Sequence, residues 1–230
     1  MRPSIPAAAA SAFAAMIAVG VLAAGAAAPV RAAAAASAPA DQDPSQLIRD
    51  VANGLLKDLD ANRAAYRKDP QLLKQLADKY LLPHFDIQYS ARLVLGRYWR
   101  TATDDQRARF VDAFENSMLQ NYGSALVDFT ANRLKVLPTR SEPGADIVSV
   151  PTQIVRDDGS TVPVNYVMHR TPEGWKVWDV NIEGISYVKS FRDDFASQID
   201  QQGLEAVIKR LQAGGRVGPQ PGAGRQPRAP

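Results

Sequence analysis

The 230-residue chain contains no cysteine and only two histidines. Without cysteine the protein can have no disulfide bond, no thiolate nucleophile and no cysteine-bound metal. His84 and His169 stand far apart in the sequence, and no group of carboxylates has the spacing of a metal-binding loop. The chain also lacks a glycine-rich phosphate loop and the G-x-S-x-G turn of serine hydrolases. We therefore predict no metal site, no cofactor and no catalytic residue, and we do not expect an enzyme.

The first 40 residues are rich in alanine and are typical of a secretory signal peptide followed by an Ala-rich leader. Arg2 supplies the positive start, and the apolar run from Ser11 to Leu22 is short for a membrane span. Cleavage is expected between Ala32 and Asp41, and the absence of cysteine excludes a lipoprotein signal. An uncleaved anchor or a disordered arm is the alternative. No other run approaches the roughly 20 apolar residues of a membrane helix, so we expect an exported protein.

The net charge of +3 comes from the two ends of the chain. Two of the 27 basic residues lie in the leader and three at or beyond Arg216, whereas all 24 acidic residues lie between Asp41 and Gln212. The middle of the chain therefore carries a net charge of −2 and lacks the basic surface of a nucleic-acid-binding protein. The tail, residues 213–230, is rich in Gly, Pro and Gln and is predicted to be disordered. One folded domain is predicted over residues 41–212.

Helices are predicted in the first half of this domain. Asp43-Pro44-Ser45 opens one, and apolar residues recur every three to four positions from Leu47 to Leu59. Asp69-Pro70 opens a second, which Pro83 ends. A third is predicted over Phe85 to Leu95, because a glycine follows it.

The longest predicted helix begins after Thr103. The Thr103 hydroxyl and the Gln106 side chain have the spacing of a capping box, in which each accepts a hydrogen bond from the other residue's backbone N–H. The apolar side chains that follow form a stripe along one side of this helix. Such a stripe is more often part of the core than the wall of a ligand pocket. It consists of Phe110, Phe114, Met118, Tyr122, Leu126 and Phe129.

From Asn132 the apolar period changes from helical to alternating, which predicts strands. The turns Asp157-Asp158-Gly159 and Thr171 to Gly174 predict hairpins, and two helices close the chain after Ser186. Helices, then an antiparallel meander, then helices predict an α+β fold with a four-stranded sheet. The four predicted strands are Arg133–Leu137, Ile147–Val155, Thr161–His169 and Trp175–Ile182.

Alternation along the last three strands predicts one face that is almost wholly apolar and one that is mixed. The helices must cover the apolar face, which is either the ordinary core of the domain or the wall of a pocket for an apolar ligand. The mixed face includes Trp175, Val177, Asp179 and His169. The predicted apolar face consists of Val148, Val150, Thr152, Ile154, Val162, Val164, Tyr166, Met168, Lys176, Trp178, Val180 and Ile182.

Asp179 is the most interesting carboxylate in the sequence. A hydrogen bond to a neighbouring backbone group or tyrosine hydroxyl is favoured over acid–base chemistry, because no catalytic partner is evident. Ser186 is predicted to cap the helix that follows it. Both histidines are interpreted as surface or locally bonded residues.

Three segments together resemble the MlaC family of periplasmic phospholipid-binding proteins, also called the toluene-tolerance or ABC-transporter auxiliary family. They are LLPHFDIQYSARLVLGRYWRTATDDQRARF (81–110), FENSMLQNYGSAL (114–126) and WKVWDVNIEGISYVKSFRDDF (175–195). The specific features are Leu95-Gly96-x-x-Trp99, Tyr122-Gly123, and Val177-x-Asp179-Val180 followed by Glu183-Gly184-Ile185-Ser186. The resemblance covers the predicted domain and leaves out the leader and the Gly/Pro tail.

The resemblance implies helices packed on a curved sheet of NTF2-like or cystatin-like shape that encloses a deep apolar cavity. It also implies a soluble periplasmic carrier that maintains outer-membrane lipid asymmetry. The carrier would move phospholipid between an outer-membrane lipoprotein–porin complex and an inner-membrane ABC transporter bearing an MCE-domain ring. The acyl chains would fill the cavity and the head group would point outwards.

The apolar face and the helix stripe supply the candidate lipid contacts. Two other interpretations stay open: an NTF2-like isomerase or dehydratase using Asp179 with Tyr166 or His169, and an adaptor with a packed core. Alternation puts Tyr166 and Asp179 on opposite faces, which argues against the enzyme. The predicted lipid contacts are Leu93, Phe110, Phe114, Met118, Tyr122, Val148, Val150, Val164, Tyr166, Met168, Trp178, Val180 and Ile182.

Overall fold

The computed structural model describes residues 42–127, 134–139, 144–155 and 158–215, apart from the side chains of 122–126. The predicted signal peptide and all of the predicted tail beyond residue 215 lie outside the described residues, as does Phe129. Seven α-helices, a short 3-10 helix (Leu82–His84) and five strands are described. In chain order they are α1 (Pro44–Lys68), α2 (Pro70–Tyr80), α3 (Ile87–Leu95), α4 (Arg97–Thr101), α5 (Asp104–Val127), β1 (Leu134–Val136), β2 (Ile147–Val155), β3 (Thr161–Thr171), β4 (Gly174–Ile182), β5 (Ile185–Ser186), α6 (Tyr187–Gln202) and α7 (Leu204–Gln212).

The predicted helix starts are confirmed by their caps. Asp43 accepts a hydrogen bond from the backbone N–H of Gln46 at 2.8 Å, and Asp69 accepts one from Gln71 at 2.8 Å. The predicted capping box is formed before α5, where the Thr103 hydroxyl and the Gln106 side chain each accept a backbone N–H at 3.1 Å. These caps satisfy backbone donors that the first helical turn leaves unpaired.

The third helix begins two residues later than predicted. Asp86 is its N-cap and accepts the backbone N–H of Tyr89 at 2.8 Å. Phe85 forms a parallel bridge with Val177, and the N–H of Asp86 donates to the Val177 carbonyl at 2.8 Å. The start of α3 is therefore fixed to the edge of β4.

The strands form one antiparallel sheet in the order β1-β2-β3-β4-β5. The α+β prediction and the four-strand meander are confirmed, and β5 adds a two-residue edge strand that was not predicted. It follows a two-residue turn in which Glu183 (φ 52°) and Gly184 (φ 82°) both have left-handed backbone conformations. Such a turn matches the twist of a hairpin, so the chain folds back onto β4 before α6 begins.

Trp178 is the extra residue of a β-bulge in β4. Val167 lies opposite Asp179, and Met168 lies opposite Val177, so Trp178 has no partner on β3. A bulge of this kind reverses the alternation of the residues that precede it.

The bulge makes the predicted facing of the first half of β4 wrong. Unbroken alternation placed Lys176 and Trp178 on the apolar face. In the structure that face carries Trp175 and Val177 instead, with 5% and 0% of their surface exposed. The second half of β4 follows the prediction, since Val180 and Ile182 pair with Tyr166 and Val164.

The apolar side chains divide into three clusters. In the sheet cluster, α1 packs on the sheet through Leu47, Ile48, Val148, Val150, Met168, Trp175 and Val177. The hairpin cluster joins α1 and α2 through Leu55, Leu56, Leu59 and Leu76. The helix cluster joins α3, α5, α6 and α7 through Ala91, Val94, Leu95, Phe110, Val111, Ala113, Phe114, Val188, Phe191, Phe195, Ile199, Val207, Ile208 and Leu211.

Candidate functional site

Strand pairing defines the apolar face of the sheet. In an antiparallel pair, residues directly opposite each other point to the same side of the sheet. Seven of the predicted lipid contacts meet here. The apolar face consists of Val148, Val150, Thr152, Ile154, Val162, Val164, Tyr166, Met168, Trp175, Val177, Val180 and Ile182.

One end of the apolar face is closed by α1. Leu47 and Ile48 pack there against Val148, Met168 and their neighbours in the sheet cluster. The sequence identified the α1 stripe, but it did not identify the sheet as the surface that this stripe covers. This end of the face is therefore filled with protein.

Part of the face, from the middle of β3 to the end of β4, keeps accessible surface. Tyr166, Val180 and Ile182 are only partly buried, although Val150 and Val164 beside them are almost fully buried. Burial raises the pKa of the Tyr166 hydroxyl. These three side chains therefore keep surface that is open to contact by a ligand.

Two hydroxyl groups lie on the apolar face, and they differ in their hydrogen bonding. The Thr152 hydroxyl donates to the Val164 carbonyl at 2.8 Å, within the sheet itself. The Tyr166 hydroxyl has no hydrogen-bond partner among the residues that the structure describes, and burial is the only influence on its pKa.

A second group of predicted lipid contacts lies in or against the helix cluster. Phe110 and Phe114 stack at 5.8 Å between ring centroids, and Phe191 and Phe195 of α6 make edge contacts with them at 5.4–6.2 Å. Leu93, Met118 and Trp178 pack on the outside of this cluster. The rings of Phe110 and Phe114 are enclosed by protein, so contact between them and a ligand stays a prediction. The Tyr122 side chain lies outside the described part of the chain.

Trp178 contacts the helices because of the bulge. Its ring meets Tyr89 of α3 edge-on at 5.7 Å, and its carbonyl accepts the Ser90 hydroxyl at 2.7 Å. Trp178 is thus separated from Met168, with which alternation had grouped it.

Asp179 lies on the opposite face of the sheet, and two of its three hydrogen-bond donors are backbone N–H groups. It accepts hydrogen bonds from the N–H of Val180 (2.8 Å), the Ser186 hydroxyl (2.6 Å) and the N–H of Val188 (3.0 Å). Ser186 in turn caps α6 by accepting the N–H of Lys189 at 3.0 Å, as predicted. Asp179 therefore joins β4 to the start of α6, and it lies away from Tyr166 as predicted.

His169 is held by its neighbours, whereas His84 is partly buried. His169 Nε2 lies 3.0 Å from Asp86 Oδ2, and its ring contacts Tyr89 at 4.7 Å between centroids. The pKa of His84 is lowered by burial and, to a smaller extent, by the charge of Lys176. No group of three or more potential metal ligands occurs among the described residues.

A groove of about 550 Å³ lies between the turn that joins β3 to β4, the start of α3 and the middle of α5. Its apolar lining includes Phe85, Ile87 and Val111, and its polar lining includes Glu115 and Lys176. It contains none of the predicted lipid contacts. The sequence predicted the turn that contains Pro172, but it gave no indication that a groove lies beside this turn. Within the described ranges, no helix is long and apolar enough to cross a bilayer.

A family model and the relatives found by comparison with known proteins agree with one another. A family model described as MlaC protein matches residues 49–213. The toluene tolerance protein ttg2D of Pseudomonas putida is 31% identical over 165 residues, which cover 71% of this chain and 76% of that protein. The intermembrane phospholipid transport system binding protein MlaC of Haemophilus influenzae is 24% identical over 176 residues, covering 75% and 82%.

A solved structure shares the fold. It is the phospholipid-binding protein from Ralstonia solanacearum, determined in complex with a phospholipid. It matches with a TM-score of 0.70 at 24% identity, covering 75% of this chain and 96% of that one. The arrangement of helices on an antiparallel sheet is therefore an established fold.

Proposed function

The chain belongs to the MlaC family, and we propose that it is a phospholipid-binding transport protein that carries phospholipid through the periplasm. The phospholipid named in the descriptions of two relatives is the proposed cargo. The acyl chains lie along the apolar face of the sheet, and the head group points to solvent.

The partly accessible residues of the apolar face are the observation that carries this proposal. Tyr166 on β3 and Val180 and Ile182 at the end of β4 are partly buried, whereas Val150 and Val164 beside them are closed off by packing. A mainly apolar surface with few polar groups suits a hydrocarbon ligand. Acyl chains that cover this surface are removed from water together with the side chains beneath them.

The energetics favour a carrier over free diffusion. Burying one methylene group is worth about 0.8 kcal/mol, so a lipid with roughly 30 methylenes hardly leaves a membrane unaided. Chains that pass from a membrane to an apolar cavity are out of water in both places. The net preference for the protein can then be small, which permits both pickup and delivery.

The partners follow from this role. The carrier would receive and deliver lipid at an outer-membrane lipoprotein–porin complex and at an inner-membrane ABC transporter with an MCE-domain ring, and so maintain outer-membrane asymmetry. The N-terminal signal peptide expected from the sequence would bring it to the periplasm.

An enzyme on the same scaffold is the alternative, and the surroundings of Asp179 do not favour it. Both carboxylate oxygens accept hydrogen bonds, and the three donors are two backbone N–H groups and Ser186. General acid–base catalysis needs a carboxylate that reaches a substrate. The expected role of Asp179 is structural, and no reaction is proposed for this protein.

The decisive experiment is organic extraction and mass spectrometry of the protein purified without detergent from a bacterial periplasm. The proposal expects about one phospholipid per chain. A folded protein that contains no phospholipid and takes none from vesicles would overturn it.

A further inference from the structure

Tyr166 places a hydroxyl group in the middle of the apolar face. It lies on β3, the central strand, with Val150 opposite on β2 and Val180 opposite on β4. Val164 and Met168 flank it on the same face, two residues away on either side. None of these four neighbours offers a hydrogen-bond partner from its side chain.

The hydroxyl keeps some accessible surface and makes no hydrogen bond within the described part of the chain. Partial burial nevertheless raises its pKa. A ligand that covered this hydroxyl without accepting its hydrogen bond would leave a desolvated polar group, which is unfavourable. Thr152 shows that the same face can satisfy a hydroxyl, since its own donates to the Val164 carbonyl at 2.8 Å. The Tyr166 hydroxyl is free to serve a ligand.

The surroundings limit the ligand atom to a neutral acceptor. A phosphate oxygen would bring a negative charge into an apolar region, where an unpaired charge is strongly disfavoured. The residues that pair with and flank Tyr166 are all uncharged. The carbonyl oxygen of an acyl ester carries no charge, accepts a hydrogen bond and lies at the head of each acyl chain.

We propose that the Tyr166 hydroxyl donates a hydrogen bond to an ester carbonyl oxygen of the bound phospholipid and so fixes the depth at which the glycerol backbone sits. This inference rests on the proposed carrier function. It makes Tyr166 the residue that distinguishes ester-linked lipids from ether-linked lipids of the same length, because an ether has no carbonyl oxygen.

The test compares two lipids and two proteins. Delipidated wild type and Tyr166→Phe are each loaded with dipalmitoyl phosphatidylglycerol or with its dihexadecyl ether analogue, and transfer to excess vesicles is timed. We expect wild type to release the ester lipid about three- to tenfold more slowly than the ether lipid, the effect of one net hydrogen bond. Tyr166→Phe should release both lipids at the faster rate.

Tyr66→Phe is the matched control. The Tyr66 hydroxyl donates to Asp58 at 2.8 Å within α1, and Tyr66 packs against the hairpin cluster, not against the sheet. Its removal should lower the Tm of the lipid-free protein and leave the ratio of ester to ether release unchanged. Tyr166→Phe should leave that Tm unchanged or raise it, because it removes an unsatisfied hydroxyl.

The outcomes separate this inference from the carrier function. If wild type and Tyr166→Phe release the ester lipid at the same rate, the inference is overturned, because the hydroxyl then bonds to water and not to the lipid. Equal acceleration of ester and ether release in Tyr166→Phe would also overturn it, because the acceptor would then be the phosphate. A wild type that takes up neither lipid would overturn the carrier function itself.

Discussion

Met168 on β3 lies opposite Val177 on β4, one residue earlier than unbroken alternation requires. The bulge at Trp178 absorbs the difference and turns that indole towards α3, which it meets through Tyr89. The sheet thereby uses one strand for two purposes. The start of β4 fills the sheet cluster, whereas Trp178 fixes the strand to the helices and the end of β4 forms the accessible part of the apolar face.

Ile182→Asp should remove the bound lipid while leaving the protein folded. Ile182 is partly buried on the apolar face, so a carboxylate there can stay hydrated in the lipid-free protein, whereas acyl chains that covered it would have to desolvate the charge. Mass spectrometry of the purified variant should find little or no phospholipid, and circular dichroism should show a native spectrum. Val164→Asp and Met168→Asp on the same face are not suitable tests, because exposures of 2% and 0% at these residues make unfolding the expected result.

Asn181→Asp is the control for this variant. Asn181 adjoins Ile182 in the sequence and lies on the other face of the sheet, opposite Asn165. The same charge is introduced there without entering the apolar face, so the lipid content should equal that of wild type. A folded Ile182→Asp protein with a full lipid load would show that the apolar face does not bind the cargo.

Asp179→Asn should lower stability without affecting lipid binding. The change makes one of the two acceptor oxygens a donor, and the hydrogen bonds to Ser186 and Val188 that hold the start of α6 are weakened. We expect a loss of about 1–3 kcal/mol in the free energy of unfolding, measured with urea. Asp193→Asn, an exposed carboxylate on α6, should cost far less. Loss of bound lipid in a folded Asp179→Asn protein would contradict the structural role.

Much of this fold could be predicted because its signals are local. Asp43, Asp69 and Thr103 cap their helices through residues two or three positions away, so the sequence alone contains the whole interaction. The strands were found in the same way, through alternation. The bulge at Trp178 could not be found, because it exists only in the pairing of β4 with β3.

The site was harder to predict than the fold. Phe110 and Phe114 form a stripe that suits either a core or a ligand wall, and the decision depends on Phe191 and Phe195, which lie much later in the chain. In the same way, the α1 stripe gives no sign of which surface it covers. The residues of β3 and the end of β4 were placed together correctly, because their pairing is regular there.

Gly54→Ala should destabilise the protein although alanine is the better helix former. Gly54 lies inside α1, and a Cβ atom built there would lie 2.8 Å from Cε1 of Tyr80, whose ring packs against α1. The substitution gains up to about 1 kcal/mol of helix propensity, but overpacking costs about 1–3 kcal/mol. We expect a lower Tm by differential scanning calorimetry. Asn53→Ala, at the exposed neighbouring position, should be neutral or stabilising, and a Tm gain in Gly54→Ala would show that Tyr80 moves aside freely.

Glu205 should make part of the protein's stability depend on acidic pH. Arg109 of α5 donates to both oxygens of Glu205 on α7, at 2.8 and 2.9 Å, and lowers the pKa of this carboxyl from 4.5 to about 2. A lowered pKa means that the contribution to stability is complete above pH 4.5 and is lost as the pH falls towards 2. Glu205→Gln should therefore have a lower Tm than wild type at neutral pH, and the difference should shrink between pH 4.5 and 2. Asp112→Asn, an exposed change on α5 next to the turn that carries Arg109, should show no such convergence. A Tm difference that stays constant over this range would mean that the ion pair does not join α5 to α7 in solution.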